Sequence, residues 1–122
     1  MSRTLSVCFL LALLLATIAC RTGSRAYPAI EAGKYYAVLL SNGSVYFGQL
    51  EGLGSAYPVL KDVYYVQSNV NQETKAVTNA LVKRGKEWHG PDRMIINEKS
   101  IVFIEPVGKG SRVAQLIDES KK

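Results

Sequence analysis

The pair Asn42-Gly43 constrains this chain more than any other feature. It separates Tyr35-Tyr36-Ala37-Val38-Leu39-Leu40 from Val45-Tyr46-Phe47-Gly48-Gln49-Leu50, two runs rich in β-branched and aromatic residues. A type I′ turn needs positive φ at both central positions, and Asn-Gly supplies that at the lowest steric cost. The pair therefore predicts a β-hairpin, with strands over Lys34–Leu40 and Ser44–Leu50. Gly48 weakens the middle of the second strand. Such a glycine marks a sharp bend or a close backbone approach.

The rest of the domain continues in the same style. Pro58 opens a third strand over Val59–Gln67, and Lys61-Asp62 is a polar break within it, the mark of a bulge. Ser68–Lys75 reads as a polar loop. A fourth strand follows at Ala76–Val82, then an irregular segment from Lys83 to Arg93. Met94-Ile95-Ile96 is a short apolar run and Asn97-Glu98-Lys99 a turn. A fifth strand covers Ser100–Glu105 and ends at Pro106. Ser111 caps a terminal helix whose Val113, Leu116 and Ile117 form one apolar stripe, which docks on a barrel end or an open sheet face. The predicted fold is mostly β: a small five-stranded barrel with a short C-terminal helix. Closing the sheet removes edges that a chain rich in tyrosine and valine would otherwise expose.

The N-terminus has a different character. Met1–Thr4 is a short basic stretch, Leu5–Ala19 is uncharged and predominantly apolar, and Arg3 is the sole charged side chain among the first twenty residues. A run of fifteen is short for a spanning helix, which takes about 20 residues, and suits a signal peptide. The predicted division is 1–19 as signal peptide or uncleaved anchor helix, 20–33 as tether, and 34–122 as the folded domain. Ala16-Thr17-Ile18-Ala19-Cys20 resembles a bacterial lipobox. That resemblance implies cleavage before Cys20 and acylation of its thiol and new amino terminus. It places the domain in the periplasm, attached to a lipid bilayer of the cell envelope. The other cysteine, Cys8, lies in the apolar run, so no disulfide framework is expected.

A net charge of +5 is spread along the chain. The densest basic group, Lys83, Arg84 and Lys86, is followed at once by Glu87. Nucleic-acid binding calls for a basic stripe with interleaved aromatics. None is present, and no nucleic-acid partner is expected.

Val38–Leu50 looks like the opening of Sm-like and other SH3-like barrels, and Met94–Glu105 is similar to their closing pair. The Sm-like RNA pocket takes an Asp and an Asn from the turn before its third strand. Here that turn is Gly52-Leu53-Gly54-Ser55-Ala56-Tyr57, and Arg84-Gly85 follows the fourth strand, so the resemblance implies a fold and no RNA binding. The runs Tyr35–Gly43 and Val45–Gly48 also resemble small uncharacterised bacterial envelope proteins.

Few residues carry chemistry. His89 is the sole histidine, in Glu87-Trp88-His89-Gly90-Pro91-Asp92-Arg93. One histidine with Glu87 and Asp92 falls short of the three or four ligands of a metal site, and no serine lies in a nucleophile pattern beside it. Trp88, with Tyr64 and Tyr65, can line a groove for a partner. The sequence thus predicts a non-enzymatic, membrane-anchored interaction module without cofactor or metal, engaging an envelope protein through Tyr64, Tyr65, Trp88 and His89. The alternative is a ligand-binding or hydrolytic site around Glu87, His89 and Asp92.

Overall fold

The computed structural model describes residues 27–122. The expected signal or anchor segment 1–19, and Cys20, lie outside the described residues. Among the described residues six strands form: β1 (Tyr35–Leu40), β2 (Val45–Glu51), β3 (Val59–Val70), β4 (Val77–Lys83), β5 (Arg93–Ile95) and β6 (Ile101–Pro106). A 3₁₀ turn, Glu98–Ser100, joins β5 to β6, and helix α1 covers Arg112–Ser120.

The order across the sheet is β4-β3-β2-β1-β6, with β5 also on β3, and all neighbours are antiparallel. This corrects the expected five-stranded SH3-like barrel. β6 pairs only with β1, while β4 and β5 pair only with β3, so the sheet stays open at both edges. The cause lies in β3, which is 12 residues long. Its first half pairs with β2 and β5, and its second half leaves them in the company of β4. The length that a barrel would spend curling back toward β6 is spent on a projecting arm. The segment between β5 and β6 spans the end of the sheet instead of joining the ladder. There Ile96 N–H donates to Pro58 O, Glu98 N–H to Ala56 O, and Ser41 N–H to Ser100 O.

The β1–β2 hairpin forms where Asn-Gly predicted it, but the turn is of another type. Only Gly43 has positive φ, at 84°; Asn42 does not. Gly43 N–H donates to Leu40 O and Leu40 N–H to Ser44 O, both at 2.9 Å. The loop thus has three residues, a type I turn over Ser41-Asn42 closed by a left-handed glycine. Asn42 contributes through its side chain instead, since Oδ1 accepts from Ser44 N–H at 3.0 Å.

The core lies on one face of the curved sheet. Tyr36, Val38, Leu50, Leu60, Val63 and Ile96 are buried there, with Leu40, Tyr46, Met94, Ile101 and Ile104 packed around them. Alternation along β1 sends Tyr36 and Val38 inward and Tyr35 and Ala37 to the opposite face. Part of the expected tether joins this core. Ile30 packs against it, Glu31 N–H donates to the Tyr36 hydroxyl at 3.0 Å, and the Tyr27 hydroxyl donates to Glu98 at 3.3 Å.

The bulge expected at Lys61-Asp62 is present. Gln49 pairs with Lys61 and Phe47 with Tyr64, so Gly48 faces two residues, Asp62 and Val63. A Cβ on Gly48 would stand 2.7 Å from both Leu60 Cγ and Lys61 O, so the strands approach too closely for any other residue. Asp62 takes φ of 48°, which turns its carboxylate to the outer face.

Helix α1 covers part of that outer face. Ser111 Oγ accepts from Ala114 N–H at 3.1 Å, as its capping position predicted. Ile117 is 1% exposed, a burial that stabilises by about 1.5–3 kcal/mol.

Candidate interaction surface

The outer face carries a compact polar cluster. Tyr35 donates its hydroxyl proton to Asp62, Lys83 Nζ lies 2.7 Å from Asp62 Oδ1, and Lys121 Nζ donates to the Tyr35 oxygen at 2.7 Å. Burial alone would raise the Asp62 pKa. The hydrogen bonds from Lys83 and Tyr35, with the Lys121 charge, outweigh it and hold the carboxyl below the usual range. Burial and the hydrogen bond to Asp62 push the Tyr35 phenol up, and Lys121 opposes them. Asp62 holds Lys83 above its ordinary value, and Tyr35 does the same for Lys121. A nucleophilic lysine or a tyrosine base needs the opposite shifts. The shifts favour the resting ionisation state of each group, and the cluster acts as a clasp between β1, β3, β4 and the end of α1.

A cavity of about 370 Å³ adjoins it, lined by Asp62, Lys83, Arg84, Pro91, Asp92 and Arg93, among others. Its charges are matched in pairs: Lys83 with Asp62, Arg84 with Glu87, and Arg93 with Asp92. The Arg84 guanidinium also stacks 5.6 Å from the Tyr46 ring centroid and donates to the Met94 sulfur at 3.3 Å.

The expected aromatic surface does not assemble. Tyr64 is 1% exposed and lies beneath α1, edge-on to Tyr35 at 6.3 Å, its hydroxyl 3.1 Å from Ser120 Oγ. Tyr65 faces the other way, edge-on to Tyr46 at 6.4 Å. Adjacent strand residues point to opposite faces, so one surface cannot take both. Trp88 is exposed over its whole side chain, at 107% of the reference value, and His89 is exposed beside it.

The carboxylates of Glu87 and Asp92 are each engaged by an arginine, Arg84 and Arg93, rather than by His89. The Glu87 carboxylate turns back to accept from Gly85 N–H at 2.7 Å and to meet Arg84 Nε at 3.0 Å, and the Gly85 N–H holds its pKa down. Asp92 accepts two hydrogen bonds from Arg93, which likewise lower its pKa. Among the described residues no three of His, Cys, Asp and Glu gather as a metal would require.

What the topology leaves unpaired is one edge of the far half of β3, the edge away from β4. The β2–β3 ladder stops at Phe47 and Tyr64, although the same register would set Val45 beside Val66. Beyond that pair no ladder pairing joins the two strands. The gap is a groove of about 500 Å³, lined by Gly43, Ser44, Val45, Tyr46, Phe47, Tyr65, Val66 and Ser68. From Val66 to Val70, β3 pairs with β4 on one side only. This β3–β4 arm is exposed on both faces, with Val66 at 47%, Val70 at 51% and Val77 at 61%.

An isolated two-stranded ribbon is marginal in water. The arm compensates with polar bonds. Ser68 Oγ donates to Asn79 Oδ1 at 2.6 Å, and Thr78 Oγ1 donates to Asn69 O. At the tip, Asn71 Oδ1 accepts from Glu73 and Thr74 N–H, and Lys75, with φ of 58°, closes the turn on Asn71 O. The expected loop Ser68–Lys75 therefore begins only after Val70; Ser and Asn are weak strand formers, which hides the strand at Ser68–Val70. The signal that marks them as strand is their side-chain partners across the ladder, in Thr78 and Asn79.

The sequence matches no protein-family profile and no curated protein. The resemblance to small envelope proteins gains no support from these comparisons, and the resemblance to Sm-like and SH3-like barrels fails on the open sheet. The comparisons and the described residues likewise give no support to the lipoprotein, signal-peptide and periplasmic readings built on Cys20. Among the described residues, no helix is long and apolar enough to cross a membrane.

Proposed function

We propose that this chain is a non-enzymatic protein-interaction module that holds an extended segment of a partner protein by strand addition. One observation carries the reading: the β2–β3 ladder ends at Phe47 and Tyr64, and a groove lies along the residues left without ladder partners beyond it. An extended peptide satisfies such edges with main-chain hydrogen bonds, and its alternate side chains supply specificity. The groove residues are apolar, hydroxylic or glycine, with no charge among them. The matching partner segment is uncharged, with an apolar residue at every second position to meet Val45, Phe47 and Val66. The clasp and the paired charges near the cavity add rigidity and no reactive group, which favours this role over the hydrolytic alternative.

The test is selection of displayed random peptides against the chain, followed by hydrogen exchange on the complex. Uncharged alternating peptides should emerge and slow exchange in residues 43–47 and 65–70. Val66→Glu should abolish their binding. Peptides that protect other segments, or bind the Val66→Glu chain equally well, would overturn the proposal.

A further inference from the structure

The loop between β4 and β5 holds a tryptophan in water by design of its backbone. Glu87 organises the turn. Its carboxylate accepts from Gly85 N–H at 2.7 Å, its carbonyl accepts from Gly90 N–H at 2.8 Å, and its other carboxylate oxygen meets Arg84 at 3.0 Å. Gly85 and Gly90, at φ of 126° and 52°, supply the left-handed bends on either side. Trp88 stands between them, exposed at 107%. A large aromatic on a pinned apex makes contact with little ordering cost, and the amphipathic indole suits the boundary between water and lipid.

The charges around the apex select the surface it meets. Glu87 is turned inward to Arg84, and Asp92 is neutralised by Arg93. Lys86 has no ion-pair partner among the described residues. The apex therefore offers an indole, one free cation and no free anion, complementary to an apolar layer beneath anionic phosphates. The same chain carries the apolar run Leu5–Ala19, which makes a bilayer a partner within reach. We infer that the 84–92 loop is a lipid-contact tip, in which Trp88 enters the interfacial layer of an anionic phospholipid membrane and Lys86 meets the phosphates beside it.

The chain has a single tryptophan, so its fluorescence reports on this side chain alone. The experiment adds the full chain to vesicles of mixed zwitterionic and anionic phospholipid, with and without lipids brominated in the upper acyl chain. Circular dichroism checks the fold of each variant. The expected result is a blue-shifted emission that the brominated lipids quench. Lys86→Gln should lower the ratio of inserted to free tryptophan about fivefold on anionic vesicles, the effect of one basic residue near such a surface. On purely zwitterionic vesicles it should change nothing. A chain that sediments with vesicles while Trp88 keeps a water-like, unquenched emission overturns the inference, because attachment then runs through another segment. A chain that ignores vesicles overturns it too. So does a blue shift that appears only when a protein is added, which would make Trp88 an anchor for a protein pocket.

Discussion

Lys121, just beyond the final helix, donates a 2.7 Å hydrogen bond to the hydroxyl of Tyr35, the first residue of the first strand. The two ends of the domain are clasped through this contact and through Ile117 beneath it. The apolar part outweighs the polar part. Ile117→Ala should destabilise by about 3 kcal/mol, within the range for truncating a buried isoleucine. Tyr35→Phe should cost about 1.5 kcal/mol, the low end for hydrogen bonds to charged groups, since the cluster is partly solvated. Urea unfolding of both variants checks the order.

The clasp also sets a pH window. The Asp62 pKa is lowered in the folded state, so its stabilisation is present above the unfolded value of about 3.9 and is lost as pH falls through the folded value. The Tyr35, Lys83 and Lys121 pKa values are raised, so their contribution is present below about 10 and is lost as pH rises through the folded values. Stability should therefore hold between these limits and fall on both sides. Asp62→Asn should flatten the acid limb, read by thermal unfolding across pH. An unchanged acid limb would show that other carboxylates control it.

Gly48 and Asp62 form the bulge together, and their substitutions should separate space from backbone strain. Gly48→Ala should cost about 1–3 kcal/mol, because Lys61 O stands 2.7 Å from the new methyl and a backbone carbonyl cannot step aside. Asp62→Gly loses the ion pairs but relaxes the left-handed φ, whereas Asp62→Ala loses both. The alanine variant should be the less stable of the two by about 1 kcal/mol.

The loop geometry makes an equally sharp forecast. Gly43→Ala should destabilise by about 1–2 kcal/mol, since φ there is 84°. Asn42→Ala should cost about 1 kcal/mol or less, because it removes only the bond to Ser44 N–H. Comparable large losses at both positions would restore the type I′ turn.

Trp88→Ala should leave stability within about 0.5 kcal/mol of the parent, as expected of a side chain that touches nothing. Thermal melts of the two chains provide the comparison. A large loss would mean the indole packs in solution.

Local chemistry made much of this legible. Pro58, Asn42-Gly43, Gly48, Lys61-Asp62 and Ser111 each announced an element start, a turn, a close approach, a bulge or a cap, because each acts through its own backbone. Barrel closure was not legible. It depends on whether β3 bends toward β6 or runs on beside β4, and that choice rests on side-chain pairs such as Ser68 with Asn79, far apart in sequence. The face taken by Tyr64 was hidden for a related reason. Alternation shows that Tyr64 and Tyr65 part company, but not which of them lies beneath α1. The exposure of Trp88 follows from the hold of Glu87 on Gly85 and Gly90, which composition does not reveal.

The place of β1 between β2 and β6 has a consequence for synthesis. Strands β1 to β4 follow one another through consecutive hairpins, which close quickly once made, in about 1–10 μs. The second neighbour of β1 is β6, whose Glu105 pairs with Ala37. A ribosome adding about 5–20 residues each second leaves the Val38–Leu40 edge bare for a time on the order of seconds. A chain stopped short of Ile101 never covers it, and such truncated products should aggregate more readily than the full chain, in which β6 occupies this edge.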